Sequence, residues 1–202
     1  LFFNVPARRK FLKSERAENR QIETVVKKIS LANMSVAFSY AQFGSSKNER
    51  GLRKLELKAG DPHQRLADVL SPDFVENSIF LDETRNRYRL FGWIGVPSHN
   101  RAQRDQQFFY VNKRPVKDEV VNQAVRQAYR DLMYGRRHAV YVLFLELPEE
   151  ELDVNVHPTK QEVRYQDPRS VRDFIFGTLH NNLAAPLGTR LSSKKLAPNN
   201  TN

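Results

Sequence analysis

The amino-acid sequence predicts an α+β fold in which helices pack on a mostly antiparallel or mixed sheet. Residues 139–147 form a continuous apolar run of the kind found in central strands. Residues 118–133 and 168–183 instead repeat their apolar residues at the spacing of a helix. Because 40% of the residues are hydrophobic and 10% are aromatic, the chain can bury a substantial core.

The first part of the chain combines a strand end with two helices. Residues 1–5 are expected to end a buried strand, and Pro6 suits the first turn of a short helix. Ser14 is a suitable N-cap for a longer helix, and Glu18 lies close to the position that completes a capping box. The apolar residues of this helix recur at helical spacing, and they are Ile22, Val25, Val26 and Ile29.

The next part alternates strands with turns and one short helix. Asp61 followed by Pro62 is typical of a cap and a first helical position, which predicts a helix over residues 63–70. A polar turn at residues 45–51 separates the first two strands, and residues 83–86 join the next two as a hairpin. The predicted strands are residues 36–43, 52–57, 78–81 and 87–96.

The second half begins with a polar loop at residues 97–105 and ends, after Ala184, in a segment rich in Pro, Ser, Lys and Asn that we expect to be a disordered linker. The predicted strands are residues 107–116, 139–147, 152–156, before Pro158, and 162–165. The stripe of the helix at 118–133 is Val121, Ala124, Val125, Ala128 and Leu132. The core face of the last helix, at 168–183, is Val171, Phe174, Ile175 and Leu179.

The charge balance favours a polyanionic partner. Lys and Arg number 33 against 23 Asp and Glu, which gives a net charge of +10. The absence of cysteine excludes disulfides, thiolate zinc sites and cysteine nucleophiles. The five histidines lack metal-ligand spacing, no phosphate-loop, dinucleotide or serine-nucleophile motif occurs, and no apolar run is long enough to span a membrane. The sequence therefore predicts no catalytic residue and no metal site within this chain.

Two basic clusters are candidates for contact with a phosphate backbone. Arg126 and Arg130 lie four residues apart on one predicted helix face. Further basic residues lie before and after that helix, and they are Lys113, Arg114, Lys117, Arg136 and Arg137. A second cluster lies near the start of the chain, and it is Arg8, Arg9 and Lys10. These charges would give salt-sensitive binding of low sequence specificity, or they are ordinary surface charges offset by acids such as Glu119 and Asp131.

Lys160 is a candidate for a phosphate contact of a different kind. It follows a predicted strand end and Pro158, which restricts the backbone, so its ammonium group can be aimed at a terminal phosphate. The alternative is a solvated loop lysine. His157 in the same segment has a similar alternative, as a hydrogen-bonded residue at the strand end.

Three long segments carry a recognisable family pattern. They are LFFNVPARRKFLKS at residues 1–14, FFYVNKRPVKDEVVNQAVRQAY at residues 108–129 and ELDVNVHPTKQEVRY at residues 151–165. In order and spacing they resemble the MutL family of DNA mismatch repair proteins, over nearly the whole chain before the tail. Because the chain begins inside an apolar run, we expect it to be a fragment.

The resemblance implies a domain organisation and a fold. Residues 1–32 would be the end of a GHKL-type ATPase lobe with its connecting helices, residues 33–184 a transducer domain, and residues 185–202 a disordered tail. The transducer would have a ribosomal-protein-like fold with a left-handed βαβ crossover, although general connection rules favour the right-handed form. In this family the lysine of the HPxK loop reaches the γ-phosphate of ATP, a role that falls on Lys160.

The resemblance also implies partners and limits. ATP and Mg²⁺ would be bound mainly by the ATPase lobe upstream of Leu1, so this fragment alone should be inactive while a full-length protein is an ATPase. Expected partners are duplex DNA, a second copy in an ATP-dependent dimer and repair proteins of the MutS type, in a bacterial cytoplasm near the nucleoid. Glu119 departs from some bacterial relatives, which carry a basic residue there. Alternatives are a stand-alone basic nucleic-acid-binding module and the equivalent lobe of a type II topoisomerase.

Overall fold

The computed structural model of the chain describes residues 4–10, 14–42, 53–154 and 163–184. These residues fall into two compact units, residues 1–65 and residues 66–202, which are treated separately below. Lys160, His157, most of the first predicted strand and the predicted disordered tail lie outside the described residues. The domain boundaries expected at residues 32 and 184 stay predictions.

The first unit consists of helices and a small hairpin sheet. Its elements are α1 (Pro6–Arg9), α2 (Glu15–Ala32), β1 (Phe38–Gln42), β2 (Arg53–Leu57) and the start of α3 (Pro62–Val69). β1 and β2 pair in antiparallel register. Ser14 occupies the N-cap position of α2, as predicted, but its side chain makes no capping hydrogen bond. Asp61 does cap α3, because its carboxylate accepts a hydrogen bond from the backbone N–H of His63 at 2.9 Å.

Arg65 holds the first unit together from within. Its side chain is 1% exposed, although arginine is seldom fully buried. The guanidinium donates to the carbonyl oxygens of Ser30 at 2.6 Å, Val36 at 2.6 Å and Lys58 at 2.7 Å. It also lies 5.5 Å from the ring centroid of Phe38. Arg65 therefore joins the end of α2, the segment leading into β1 and the segment following β2.

The apolar stripe expected on α2 is largely exposed among the described residues. Ile22 is 38% exposed, Val25 is 53% exposed and Ile29 is 46% exposed. The helical spacing was predicted correctly, but spacing alone does not show which face a neighbouring element covers.

The second unit contains the larger sheet and its helices. After α3 its elements are α4 (Pro72–Glu76), β3 (Ser78–Arg85), β4 (Tyr88–Gly95), β5 (Asn100–Arg101), β6 (Gln107–Val111), β7 (Arg114–Val116), α5 (Glu119–Tyr129), β8 (His138–Ala139), β9 (Tyr141–Glu146), a 3₁₀ turn (Glu149–Glu151), β10 (Leu152–Asp153), β11 (Arg164–Tyr165) and α6 (Pro168–Ala184). None of the helices in the described residues is long and apolar enough to cross a membrane.

The main sheet has the strand order β3-β4-β9-β6-β7. All of its neighbouring strands are antiparallel except β6 and β9, which pair in parallel. The chain passes from the β6–β7 hairpin through α5 to reach β9. This is the mixed sheet of an α+β fold, as the sequence predicts. The left-handed sense expected for the crossover stays a prediction.

One face of the sheet and the helices α5 and α6 form the principal core. The expected core face of α6 is confirmed, because Val171, Phe174, Ile175 and Leu179 are 0–4% exposed. The central strand β9 is buried along its length up to Glu146. On the other face of the sheet, the rings of Tyr110 and Phe144 stack at 4.8 Å and those of Phe91 and Phe144 at 5.1 Å.

The predicted single strand at residues 107–116 is wrong, because the chain folds back within it. Asn112 and Lys113 have φ values of 46° and 66° and form a two-residue turn between β6 and β7. Two positive φ values are what a tight hairpin of this kind requires. The Asn112 side chain fixes the turn by donating to the carbonyl oxygen of Leu147 at 2.9 Å and accepting from the Leu147 N–H at 3.1 Å.

Four other features differ from the predictions. The hairpin turn between β3 and β4 lies at Asn86 and Arg87, not at residues 83–86, so β3 is longer than predicted. Helix α4 was not predicted, although Ser71 before Pro72 is a capping signal and its hydroxyl accepts from the N–H of Phe74 at 3.1 Å. Helix α5 ends at Tyr129, which leaves Leu132 43% exposed and outside the apolar stripe. The predicted loop at 97–105 also contains β5, which pairs with β8.

Candidate nucleic-acid interface

Helix α5 carries Arg126 and is followed by Arg130 at its C-cap position, and it is fixed at both ends. Asp118 occupies its N-cap, where the carboxylate accepts from the N–H of Val121 at 3.1 Å. One face packs against the sheet and α6, with Val121, Ala124, Val125 and Ala128 at most 3% exposed. Because that face is buried, Arg126 and Arg130 are presented on the exposed side of the helix.

Tyr129 forms the buried floor beneath these arginines. Its side chain is 1% exposed, and its hydroxyl donates to the carbonyl oxygen of Gly95, at the end of β4, at 2.6 Å. Burial raises the pKa of Tyr129 far above its ordinary value, so the residue is a neutral hydrogen-bond donor. The hydrogen bond ties the last turn of α5 to the sheet.

A groove of about 600 Å³ runs along this side of α5. Its wall along the helix is polar or basic, and the segment after the helix and α6 complete it. The lining residues are Gln123, Arg126, Gln127, Tyr129, Arg130, Met133, Gly135, Arg137 and Arg172. We call this the basic groove. Because none of these lining residues is acidic, the groove concentrates positive charge in one concave surface.

The arginines of the basic groove come from three different parts of the second unit. Arg137 lies just before β8, and its Nε donates to the side-chain oxygen of Asn100 in β5 at 2.6 Å. Arg172 lies in α6, where it contacts the carboxylate of Asp173 at 3.0 Å. The groove is therefore a tertiary feature, assembled where α5, α6 and the β5–β8 pair meet.

Smaller hollows extend the basic surface beyond Arg126. One of about 30 Å³ shares Arg126 and Arg137 with the basic groove and adds Arg104. A second of about 230 Å³ shares Arg104 with the first and reaches Lys117. Tyr141 lines both, and burial raises the pKa of its hydroxyl, although the nearby charge of Arg104 opposes that shift. Basic side chains thus follow one another from Lys117 to Arg172.

An acidic residue interrupts this pattern at one place. Glu119 begins α5, and its carboxylate accepts a hydrogen bond from the guanidinium of Arg126. Asn122, one turn along the helix, contacts the other carboxylate oxygen at 3.5 Å. Glu119, which departs from the basic residue of some bacterial relatives, is therefore in direct contact with an arginine of the basic groove.

The candidate residues predicted from the sequence are only partly brought together. Arg126 and Arg130 line the basic groove and Lys117 lines an adjoining hollow. Arg114, on β7, is exposed but lines none of these depressions. Arg8, Arg9 and Lys10 belong to the first unit, in and just after α1.

Two arginines of this basic surface were missed in the sequence, Arg172 in the basic groove and Arg104 in the adjoining hollows. Arg104 lies in a predicted loop and Arg172 on the polar side of α6, and no local pattern connects either to α5. For Arg172 the available signal was its place beside the core residue Val171 on a well-predicted helix. Within the described residues, no cluster of His, Asp and Glu is arranged to hold a metal ion.

Comparison with known proteins identifies the family. The sequence profile described as "DNA mismatch repair protein, C-terminal domain" matches residues 66–184, more than half of the chain. The DNA mismatch repair protein MutL of Cellvibrio japonicus is 46% identical over 188 residues, which are 91% of this chain and 29% of that protein. This chain belongs to the MutL family. MutL of Azotobacter vinelandii is 47% identical over 184 residues, covering 89% of this chain and 28% of that protein.

The MutL-family chain spans less than a third of the length of these relatives. Solved structures agree on its fold. A structure described as the N-terminal domain of a DNA repair protein aligns with a TM-score of 0.72 and 24% identity, over 91% of this chain and 59% of that one. The ATPase domain of Aquifex aeolicus MutL aligns with a TM-score of 0.57 and 22% identity, over 92% and 59%. The predictions of family and of fold class are confirmed.

Proposed function

We propose that the basic groove of this MutL-family chain contacts the phosphate backbone of duplex DNA during mismatch repair, without reading the base sequence. The observation that supports this most is the grouping of Arg126, Arg130, Arg137 and Arg172 in one groove that no acidic side chain lines. Guanidinium groups suit this role because their planar donors match phosphate oxygens. Contacts of this kind position a protein on DNA and carry little sequence information.

The shape of the surface also favours backbone contact. The basic residues follow one another along neighbouring depressions, from Lys117 through Arg126 to Arg172, an arrangement that suits contact with successive phosphates. The stand-alone nucleic-acid module would use the same groove. The MutL family of the chain favours mismatch repair over that alternative and over the topoisomerase lobe.

The test is duplex binding by the full chain at increasing salt, measured by fluorescence anisotropy. Affinity should fall steeply between roughly 50 and 200 mM salt, because each phosphate contact releases counterions. Arg130→Gln should weaken binding about fivefold, as expected for loss of one charged contact worth roughly 1 kcal/mol, and reduce the salt slope by about 0.9.

The matched control is Arg85→Gln, which removes the same charge from the end of β3, at the opposite edge of the sheet from β7. Arg85 lies over the ring of Phe174 and lines no part of the basic groove. An equal loss of affinity in both variants would mean that only net charge matters. If affinity did not fall with increasing salt, or if binding required one particular DNA sequence, backbone contact would be refuted.

A second function rests on the family resemblance. In a full-length protein, Lys160 would contact the γ-phosphate of ATP, with Mg²⁺ and most of the nucleotide held by the upstream ATPase lobe. ATP would then bring two copies together, and proteins of the MutS type would be partners in the bacterial cytoplasm. The DVNVHPTK segment at residues 153–160 supports this assignment.

Lys160→Ala in the full-length protein should lower ATP turnover while leaving the thermal unfolding temperature unchanged. Lys113→Ala, at an exposed turn in the β6–β7 hairpin, is the control and should leave turnover at the wild-type level. Wild-type turnover in Lys160→Ala would remove the nucleotide-sensing role without affecting the proposal for the basic groove.

A further inference from the structure

We propose that Glu119 competes with DNA phosphate for Arg126 and thereby sets the affinity of the basic groove. This inference rests on the proposed contact with duplex DNA and adds an element of control to it. The acid belongs to the same helix as the arginine, so the competing group is part of the interface itself.

The geometry of α5 brings the two side chains into contact. Glu119 is the first residue of the helix and Arg126 lies about two turns later, on the same side. The Nη2 atom of Arg126 donates to Oε1 of Glu119, and Nδ2 of Asn122 lies 3.5 Å from Oε2. The carboxylate is thus placed between two donors, in a position that a phosphate group approaching Arg126 would need.

The contact is open to exchange. The Arg126 side chain is 53% exposed and that of Glu119 is 62% exposed, so water and ligands reach the pair from outside. Exposed ion pairs of this kind contribute little to stability and are weakened by salt. A DNA phosphate can therefore displace the carboxylate, at a small cost that is subtracted from the binding free energy.

Other acids near the groove are placed differently. Asp118 accepts from the backbone of Val121 as the helix cap, so its carboxylate is engaged by the fold. Asp173 contacts Arg172, its neighbour in sequence, at the far wall. Glu119 differs from both because it holds Arg126, the arginine shared by the basic groove and the adjoining hollow that leads towards Lys117.

The partial positive charge at the N-terminus of α5 also explains why the fold accommodates Glu119 there. The first turn of a helix carries partial positive charge from its unpaired N–H groups, which favours Glu119 there. Replacing Glu119 by a neutral residue should therefore lower the unfolding temperature slightly, while the fold remains. Affinity is measured well below that temperature, so stability and binding are read separately.

The experiment compares duplex binding by the wild-type full chain and Glu119→Gln across a salt series. Glu119→Gln should bind about two- to fivefold more tightly, the range expected for release of an exposed ion pair. Its slope of log affinity against log salt should be steeper by up to about 0.9, because one more arginine charge is available for phosphate. The matched control is Glu83→Gln, on the exposed part of the edge strand β3, which should leave both values unchanged.

A double-mutant cycle identifies the mechanism. In the Arg126→Ala background, Glu119→Gln should change affinity less than about 1.5-fold, because the arginine for which it competes is absent. An equal gain with and without Arg126 would show that Glu119 acts as a general repulsive charge, which overturns the competition.

The outcomes also separate this inference from the proposed function. If wild-type binding is weakened by Arg130→Gln but is indifferent to Glu119→Gln, contact with DNA stands and the competition is refuted. If neither the wild type nor Glu119→Gln binds duplex DNA at low salt, both proposals are refuted.

Discussion

The two units of the chain use arginine in opposite ways. In the first unit, Arg65 is buried and donates to several backbone carbonyl oxygens, so its charge serves the fold. In the second unit, Arg126 on α5 and Arg130 at its C-cap are exposed and line a groove. A net charge of +10 therefore combines charges that are buried in the fold with charges that stay accessible to a ligand, and burial and hydrogen-bond partners distinguish them.

The strongest test of this comparison is Arg65→Met, which keeps a long apolar side chain and removes the guanidinium. The carbonyl oxygens of Ser30, Val36 and Lys58 would lose a buried donor, at roughly 1–3 kcal/mol for each that water does not reach. We expect the free energy of unfolding to fall by about 3 kcal/mol or more, as measured by urea denaturation followed by circular dichroism.

The control for Arg65→Met is Arg20→Met, on an exposed position of α2 in the same unit. That change should stay within about 0.5 kcal/mol of the wild type. If Arg65→Met were equally mild, the buried guanidinium would not be structural, and the contrast with the basic groove would fail.

The parts of the fold that the sequence predicted well are those with local periodicity. The core face of α6 follows from the spacing of its apolar residues, and the central strand β9 follows from a continuous apolar run, so each signal lies within one element. The same reasoning placed most of the stripe of α5, but it extended the helix to Met133 and the stripe to Leu132, and it overlooked Tyr129, which is buried and donates a hydrogen bond to Gly95.

The features that the sequence did not predict depend on backbone conformation or on tertiary packing. The β6–β7 turn uses Asn112 and Lys113 without the glycine that usually marks such hairpins, so the run looked like one strand. The basic groove needs Arg172 from α6 beside α5, a neighbourhood that exists only after the helices pack. The role of Lys160 was reached through family resemblance and stays a prediction.

Tyr129 extends the comparison into the groove itself, because it lies beneath Arg130 but is buried like Arg65. Tyr129→Phe removes one buried hydrogen bond to the Gly95 carbonyl and leaves the ring in place, so the free energy of unfolding should fall by about 1–2 kcal/mol. Duplex binding by the folded protein should be unchanged, since the hydroxyl faces the sheet and not the ligand.

The pH dependence of stability gives a second measurement for Tyr129→Phe. Because burial raises the folded-state pKa of Tyr129 above the ordinary value of 10.0, its neutral hydroxyl contributes stability below that pH, and the contribution is lost as pH rises further. The free energy of unfolding of Tyr129→Phe should therefore fall less steeply with rising pH than that of the wild type. Tyr134→Phe is the control, because Tyr134 is 94% exposed, and it should change neither stability nor its pH dependence. If Tyr129→Phe instead weakened DNA binding at unchanged stability, Tyr129 would act in DNA binding and not in the fold. Burial would then not distinguish structural residues from DNA-binding residues within α5.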